Sequence, residues 1–194
     1  VYGANFTMLG VGEWPSADLA RYGEILRGSS EPIKVEGESG AVRSGHASGR
    51  VFGGHLGTLC LLVGTPYWPK FQEPVVLFVE DDALLGSSSL KEALRRLDGL
   101  LLIDELRARM SALILGRFET RAETSPEVIA EALVSHPALR TVPLLVDVPF
   151  GHAHPGIPLP IGGLCDVHAG DDGAWSLSIR GAPQLALTGL QPSR

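Results

Sequence analysis

Residues 142–167 read Val142-Pro-Leu-Leu-Val-Asp-Val-Pro-Phe-Gly-His-Ala-His-Pro-Gly-Ile-Pro-Leu-Pro-Ile-Gly-Gly-Leu-Cys-Asp-Val167. The apolar run Leu144 to Val148 has the composition of a short buried strand and stops at Pro149, which cannot donate to a ladder. His152 therefore stands just past the tip of a core strand. The turn behind it, with Pro155, Gly156, Pro158 and Pro160, holds the imidazole on a stiff loop above the core. A second segment has the same grammar: the apolar, β-branched run Pro74 to Val79 ends in Glu80-Asp81-Asp82. One strand tip offers a base and another an acid able to orient it.

Outward from these two tips, short strands alternate with helices and loops. A helix is expected over Ala17–Arg27 with Ser16 as N-cap, and a strand over Ile33–Glu36. Gly37–Gly49 reads as a loop or hairpin turn. A strand over Arg50–Phe52 is expected to turn at Gly53-Gly54 into a buried helix, His55–Val63. Helices follow at Leu90–Leu97, capped from Ser87–Ser89, at Leu101–Met110, and at Pro126–His136 with Ser125 as N-cap. Further strands are expected at Ala112–Phe118, Pro143–Val148, Gly163–His168 and Trp175–Ile179, the last after an Asp171-Asp172-Gly173 turn. The pattern is that of a mixed α/β domain with its sheet order open.

The 194 residues suffice for a full core, and 44% hydrophobic with 20% charged residues is the composition of a globular domain. A formal charge of -6, with no Lys/Arg cluster, argues against a nucleic-acid surface. No apolar run reaches the ~18 residues of a membrane span. Cys60 and Cys165 are isolated in apolar surroundings, the pattern of free thiols in a reducing, cytoplasmic setting. The chain opens on Val1 without a methionine, and Val1–Met8 reads as the exit of a strand, so a piece of a longer protein is expected.

The other candidates divide between structural and functional uses. His152 and His154 form a His-x-His pair with no third ligand at suitable spacing, so neither a metal nor a cofactor is expected. His46, His55, His136 and His168 read as loop, helix-end or hairpin residues. Tyr67-Trp68 suits core packing, whereas Trp14, in a polar loop, is the better candidate for substrate contact. Gly53-Gly54 can serve either an anion or close backbone packing.

Several blocks together resemble the LD-carboxypeptidase family of serine peptidases, more narrowly its microcin C self-immunity branch. They are YGANFTMLG at 2–10, GRVFGGHLGTL at 49–59, GTPYWP at 64–69, VLFVEDD at 76–82, ALILGRF at 112–118 and VPFGHAHPGIPLPIGG at 148–163. The resemblance implies an α/β fold, the swivelling β/β/α barrel-like C-terminal domain of that family, over 13–182. Residues 1–12 would be the remnant of an interdomain linker and 183–194 a tail, with the flavodoxin-like N-terminal domain absent. By motif, the family's catalytic glutamate falls on Glu80 and its histidine on His152, two members of a Ser-Glu-His triad. The family's serine, in a Gly-x-Ser-Asp turn, has no counterpart here, and Gly54-His55 stands where the family usually has Gly-Asn. The implied partners are a small peptide or aminoacyl-nucleotide substrate, the N-terminal domain and a second copy in a homodimer, with neither nucleic acid nor membrane. The competing expectation is a stand-alone binding module that keeps the fold without the nucleophile.

Overall fold

The computed structural model describes residues 16–27, 29, 31–82, 86–118, 125–152 and 156–181. Trp14, His154 and the expected linker and tail lie outside them. In chain order the elements are α1 (Ser16–Leu26), β1 (Ile33–Gly37), β2 (Ala41–Arg43), β3 (Gly45–His55), α2 (Leu56–Leu62), β4 (Val75–Asp81), α3 (Leu90–Leu101) and α4 (Asp104–Arg107). Then come β5 (Met110–Phe118), α5 (Pro126–Val134), a 3-10 turn (Pro137–Leu139), β6 (Leu144–Leu145), β7 (Leu164–Ala169) and β8 (Trp175–Arg180).

The eight strands form one sheet in the order β1-β8-β7-β3-β4-β5-β6-β2. The β3-β4-β5-β6 segment is parallel, and the remaining pairs are antiparallel. Laid flat, eight strands at about 4.8 Å spacing would separate β1 from β2 by about 34 Å. Only Glu38, Ser39 and Gly40 join those two strands, and such a link spans about 14 Å at most. The sheet must therefore curl until its edges meet, which is the barrel-like architecture expected. Trp175 plugs the seam, its indole N–H donating to the Ser39 carbonyl at 2.8 Å. A Cβ on Gly37 would overlap that ring.

Strand alternation separates two cores. One face of the sheet, with Val51, Val76, Phe78, Ile114, Cys165, Val167, Leu177 and Ile179, fills the barrel. On β4 the alternate residues Val75, Leu77 and Val79 face outward and pack with Leu97, Leu100 and Leu106 of α3 and α4, and with Ile129 and Leu133 of α5. Helices thus cover the parallel half of the barrel. The β1-β8-β7-β3 half turns Lys34, Glu36, His46, Ser48, Asp166, His168, Ser176 and Ser178 outward.

Four expectations change. Gly37–Gly49 contains β2 and the start of an eleven-residue β3 rather than a loop. Its Gly49 is there because a Cβ would strike the Pro74 carbonyl at 2.7 Å, not to make a turn. Gly53-Gly54 continues the strand, at φ 147° and 145°, and Gly53 lets the Phe78 backbone of β4 lie against it. Of the alternatives for this pair, close backbone packing is the one observed. The strand expected at Pro143–Val148 is only two residues long, because Asp147 takes φ 58° and the chain kinks. The helix expected at Leu101–Met110 is broken: α3 runs on to Leu101 and α4 is a single turn at Asp104–Arg107.

Both cysteines are free thiols. Burial in the barrel, aided by neighbouring Asp166, pushes the Cys165 thiol up to about 12 from 9.0. Folding therefore keeps a proton that the unfolded chain releases above pH 9. The stability this contributes is intact below pH 9 and is lost as pH rises to about 12, about 4 kcal/mol in all. Urea unfolding from pH 8 to 11 should show the loss, and Cys165→Ala should remove that component of the slope. At Gly53 an alanine should cost at least about 3 kcal/mol, by overlap with Phe78. Gly162→Ala, at φ 82° with nothing within 4 Å, should cost only about 1–2 kcal/mol.

Candidate active site

All the site residues lie at the carboxyl ends of the parallel strands, where open α/β sheets place their ligands. Glu80 belongs to β4 and shares its face with Val76 and Phe78, so its side chain enters the top of the barrel. On the adjacent β3 its register partner is His55. On the other side β5 bulges between Leu115 and Phe118, where it passes Glu80 with Gly116. A Cβ on Gly116 would stand 2.9 Å from the Glu80 Cβ, and one on Gly151 would stand 2.7 Å from its Cδ. Glycine in ALILGRF and in PFGH thus clasps the Glu80 side chain from two sides, at its Cβ and at its carboxylate. Glu80 is 1% exposed.

His152 is delivered by the segment after β6. From the Asp147 kink, Val148 N–H returns to the Leu115 carbonyl at 3.0 Å, Phe150 N–H bonds the Val148 carbonyl at 2.8 Å, and Gly151 takes φ 92°. Phe150 is buried against Phe78 with ring centroids 5.4 Å apart, which anchors the turn. The His152 Nδ1 then lies 3.1 and 3.2 Å from the two Glu80 carboxylate oxygens. With that N–H donated, Nε2 is left to exchange protons. It is the accessible partner, the His152 side chain being 39% exposed against 1% for Glu80.

Asp82 and His55 complete the group. Asp82 Oδ2 lies 3.5 Å from His152 Nε2. A neutral Nε2 and a carboxylate are both acceptors, so the edge they share suits a donor such as a hydroxyl or an amine N–H. His55 caps α2, its Nδ1 accepting from Thr58 N–H at 3.3 Å. That fixes the tautomer with the proton on Nε2, which lies 3.3 Å from Asp81 Oδ1 and 3.7 Å from Asp82 Oδ1. The Asp81 contact is within ion-pair distance but outside hydrogen-bond alignment, and among the described residues neither atom has a hydrogen-bond partner. The His55 and His152 rings meet edge to face at 5.8 Å. Backbone N–H groups hold the aspartates, Ser87 on Asp81 Oδ2 and Gly86 on Asp82 Oδ1, both at 3.1 Å.

The structure therefore brings Glu80 and His152 together, while Trp14 lies outside the described residues. Asp81 and Asp82, which follow Glu80 at the strand end, are both buried. His55, read as a helix-end residue, is the participant that sequence reasoning left out. The signal was its position at the tip of the strand beside β4. Trp68 packs edge-on to Phe52 and Phe71, whereas Tyr67 is 83% exposed. Among the described residues no group of three or more side chains is placed to hold a metal ion.

Residues 48–167 match the family model for the LD-carboxypeptidase C-terminal domain. The chain belongs to the LD-carboxypeptidase family, as its C-terminal domain. Among curated relatives, a putative carboxypeptidase of Bacillus subtilis, YocD, is 30% identical over 128 residues, covering 66% of this chain and 38% of the relative. The microcin C7 self-immunity protein MccF of Escherichia coli is 32% identical over 124 residues, covering 61% and 33%. A solved MccF-like protein from Bacillus anthracis superposes with a TM-score of 0.80 at 27% identity, covering 93% of this chain and 60% of that one. The chain thus spans little more than a third of the length of those two curated relatives.

The clasp on Glu80 is open to test. Gly151→Ala should push the carboxylate aside and cost about 2 kcal/mol or more, from the φ and the overlap together. The low-field Nδ1 proton of a histidine bonded to a carboxylate should be visible by NMR in the parent and disappear in this variant while the circular dichroism stays native. An unchanged low-field proton in the variant would show that Glu80 does not depend on the glycine.

Proposed function

We propose that this chain is the C-terminal half of a serine carboxypeptidase or amidase and supplies Glu80 and His152 to a Ser-Glu-His triad. The serine belongs to a segment outside these residues. The observation that carries the proposal is the pairing of a solvent-reaching imidazole with a buried carboxylate through Nδ1, which leaves Nε2 for the chemistry. Membership of a carboxypeptidase family supports hydrolysis at that coarser level.

In the proposed reaction the serine hydroxyl approaches the exposed edge of His152. Nε2 takes its proton as the oxygen attacks the amide carbon, and then gives that proton to the departing amine. Water enters in place of the amine, loses a proton to the same nitrogen and releases the acyl group, and the proton returns to serine. Glu80 keeps the ring in register and stabilises the imidazolium at each stage. Asp82 borders the edge at which both donors arrive.

Two substrate classes fit: the L,D-amide of a murein peptide, and the amide of a microcin C-like aminoacyl-nucleotide. Likeness to MccF, a microcin self-immunity protein by name, and to the MccF-like structure favours the second. Trp14 is assigned to substrate contact, and the two unpaired thiols fit a cytoplasmic setting.

The test is turnover by the full-length protein that contains this chain, assayed on both amide classes. Glu80→Gln should lower kcat by about 10^4-fold, and His152→Ala by about 10^4 to 10^6-fold. Trp14→Ala should raise KM with little change in kcat. Undiminished turnover in His152→Ala, or no hydrolysis of any amide by the parent, would leave the non-catalytic module as the correct reading.

A further inference from the structure

The antiparallel half of the barrel carries two histidines that are 122 positions apart in sequence and face to face in space. His46 on β3 and His168 on β7 are direct register partners of an antiparallel pair, which puts their Cβ atoms about 5 Å apart on one face. Both are exposed. His168 Nδ1 lies 3.2 Å from His46 Nδ1 and 3.1 Å from its Nε2, with ring centroids 4.3 Å apart and planes tilted by 35°. The row continues through Ser176 of β8 to Glu36 of β1, and these residues line an open groove of about 430 Å³.

Two imidazoles at this separation have one proton to share in a hydrogen bond, and they also have the spacing of two ligands on one metal. Zinc–imidazole bonds of about 2.0–2.1 Å put cis nitrogens about 2.9 Å apart at a right angle and about 3.4 Å apart at the tetrahedral angle. The observed 3.1–3.2 Å falls between these values. Because His168 Nδ1 is nearly equidistant from both nitrogens of His46, a turn of the exposed His46 ring presents either one. The β-ladder fixes the two Cα positions, so little backbone ordering is left to be done on binding. Neighbouring Asp166 is already occupied, accepting from the Ser48 hydroxyl at 2.7 Å and from Arg180 at 2.9 Å. Small Ser176 leaves the space beside the pair open.

We infer that His46 and His168 form a cross-strand site for a divalent transition metal of the imidazole-binding class, Zn²⁺, Ni²⁺ or Cu²⁺. The two rings supply two positions, and water or a group from outside the chain supplies the rest. Each ring ligates through an unprotonated nitrogen. The site is separate from the Glu80–His152 pair and does not depend on the proposed hydrolytic activity.

The test is titration of the protein, free of any affinity tag, with Zn²⁺ by calorimetry and with Ni²⁺ or Cu²⁺ while the histidine ring C–H resonances are followed. The expected result is one ion per chain, bound more tightly for Cu²⁺ than for Zn²⁺. The His46 and His168 signals should broaden before those of His55, His136 and His152. Loss of an outer-shell partner typically weakens a metal site about 10–100-fold, so His46→Ala and His168→Ala should each weaken binding by at least about tenfold. Both lie on the exposed sheet face, and His136→Asn, outside both sites, serves as the control that should bind as the parent does. Binding retained in the double variant, broadening that begins at His55 or His152, or no saturable binding at millimolar Zn²⁺ would overturn the inference.

Discussion

A carboxylate buried to 1% exposure is tolerated only when its charge is answered, since removing an ion from water costs several kcal/mol. Glu80 is answered by the Nδ1 of His152, and much of the surrounding geometry serves that meeting. Gly116 and Gly151 remove the side chains that would collide with Glu80, the first at its Cβ and the second at its carboxylate. Asp147 bends the chain out of β6, and Phe150 locks the returning segment into the barrel through Phe78. The strain of one non-glycine residue in the left-handed region, of order 1–3 kcal/mol, sits three residues before Phe150 and five before His152.

The same side-chain alternation that builds the barrel assigns each acidic residue its role. Glu80 follows Phe78 toward the interior and His152. Asp81 follows Val79 toward the helices, where the Ser87 N–H and the proton-bearing edge of His55 face it. Had the strand slipped by one residue, these roles would exchange. The bulge in β5 opposite Glu80 gives room at the point where the register must hold, a use common beside active sites. His55 ties the site to the fold, because the imidazole that starts α2 also points its other nitrogen at the aspartates.

The barrel has two outer surfaces of different character. Over the parallel strands α3, α4 and α5 bury leucine and isoleucine, and the site opens at the ends of those strands. Over the antiparallel half the outward residues are serine, aspartate, lysine, glutamate and histidine, which hydrate without cover. Family membership follows from residues 48–167, which include the site and most of the parallel half. The His46–His168 pair lies just outside that segment at both ends, on a surface with no part in the proposed chemistry.

Much of the site was legible in the sequence. Apolar runs of strand length that end in acid or in Phe-Gly-His mark Glu80 and His152, because a buried strand must stop where its side chains turn polar. The family blocks also assign both residues. Helix starts at Ser89 and Pro126 were equally local, resting on caps and on proline at the first turn. Closure of the barrel, the clasping glycines and the two histidine encounters were decided only by tertiary structure. Each depends on which strands become neighbours: Gly49 and Gly53 read as loop or turn residues, and Gly116 as one position of a strand, until a partner backbone or Glu80 is seen in the place of their missing side chains. His46 and His168 carry no local signal of each other, since only the β3–β7 register, set by packing of the whole sheet, puts residues 122 positions apart face to face.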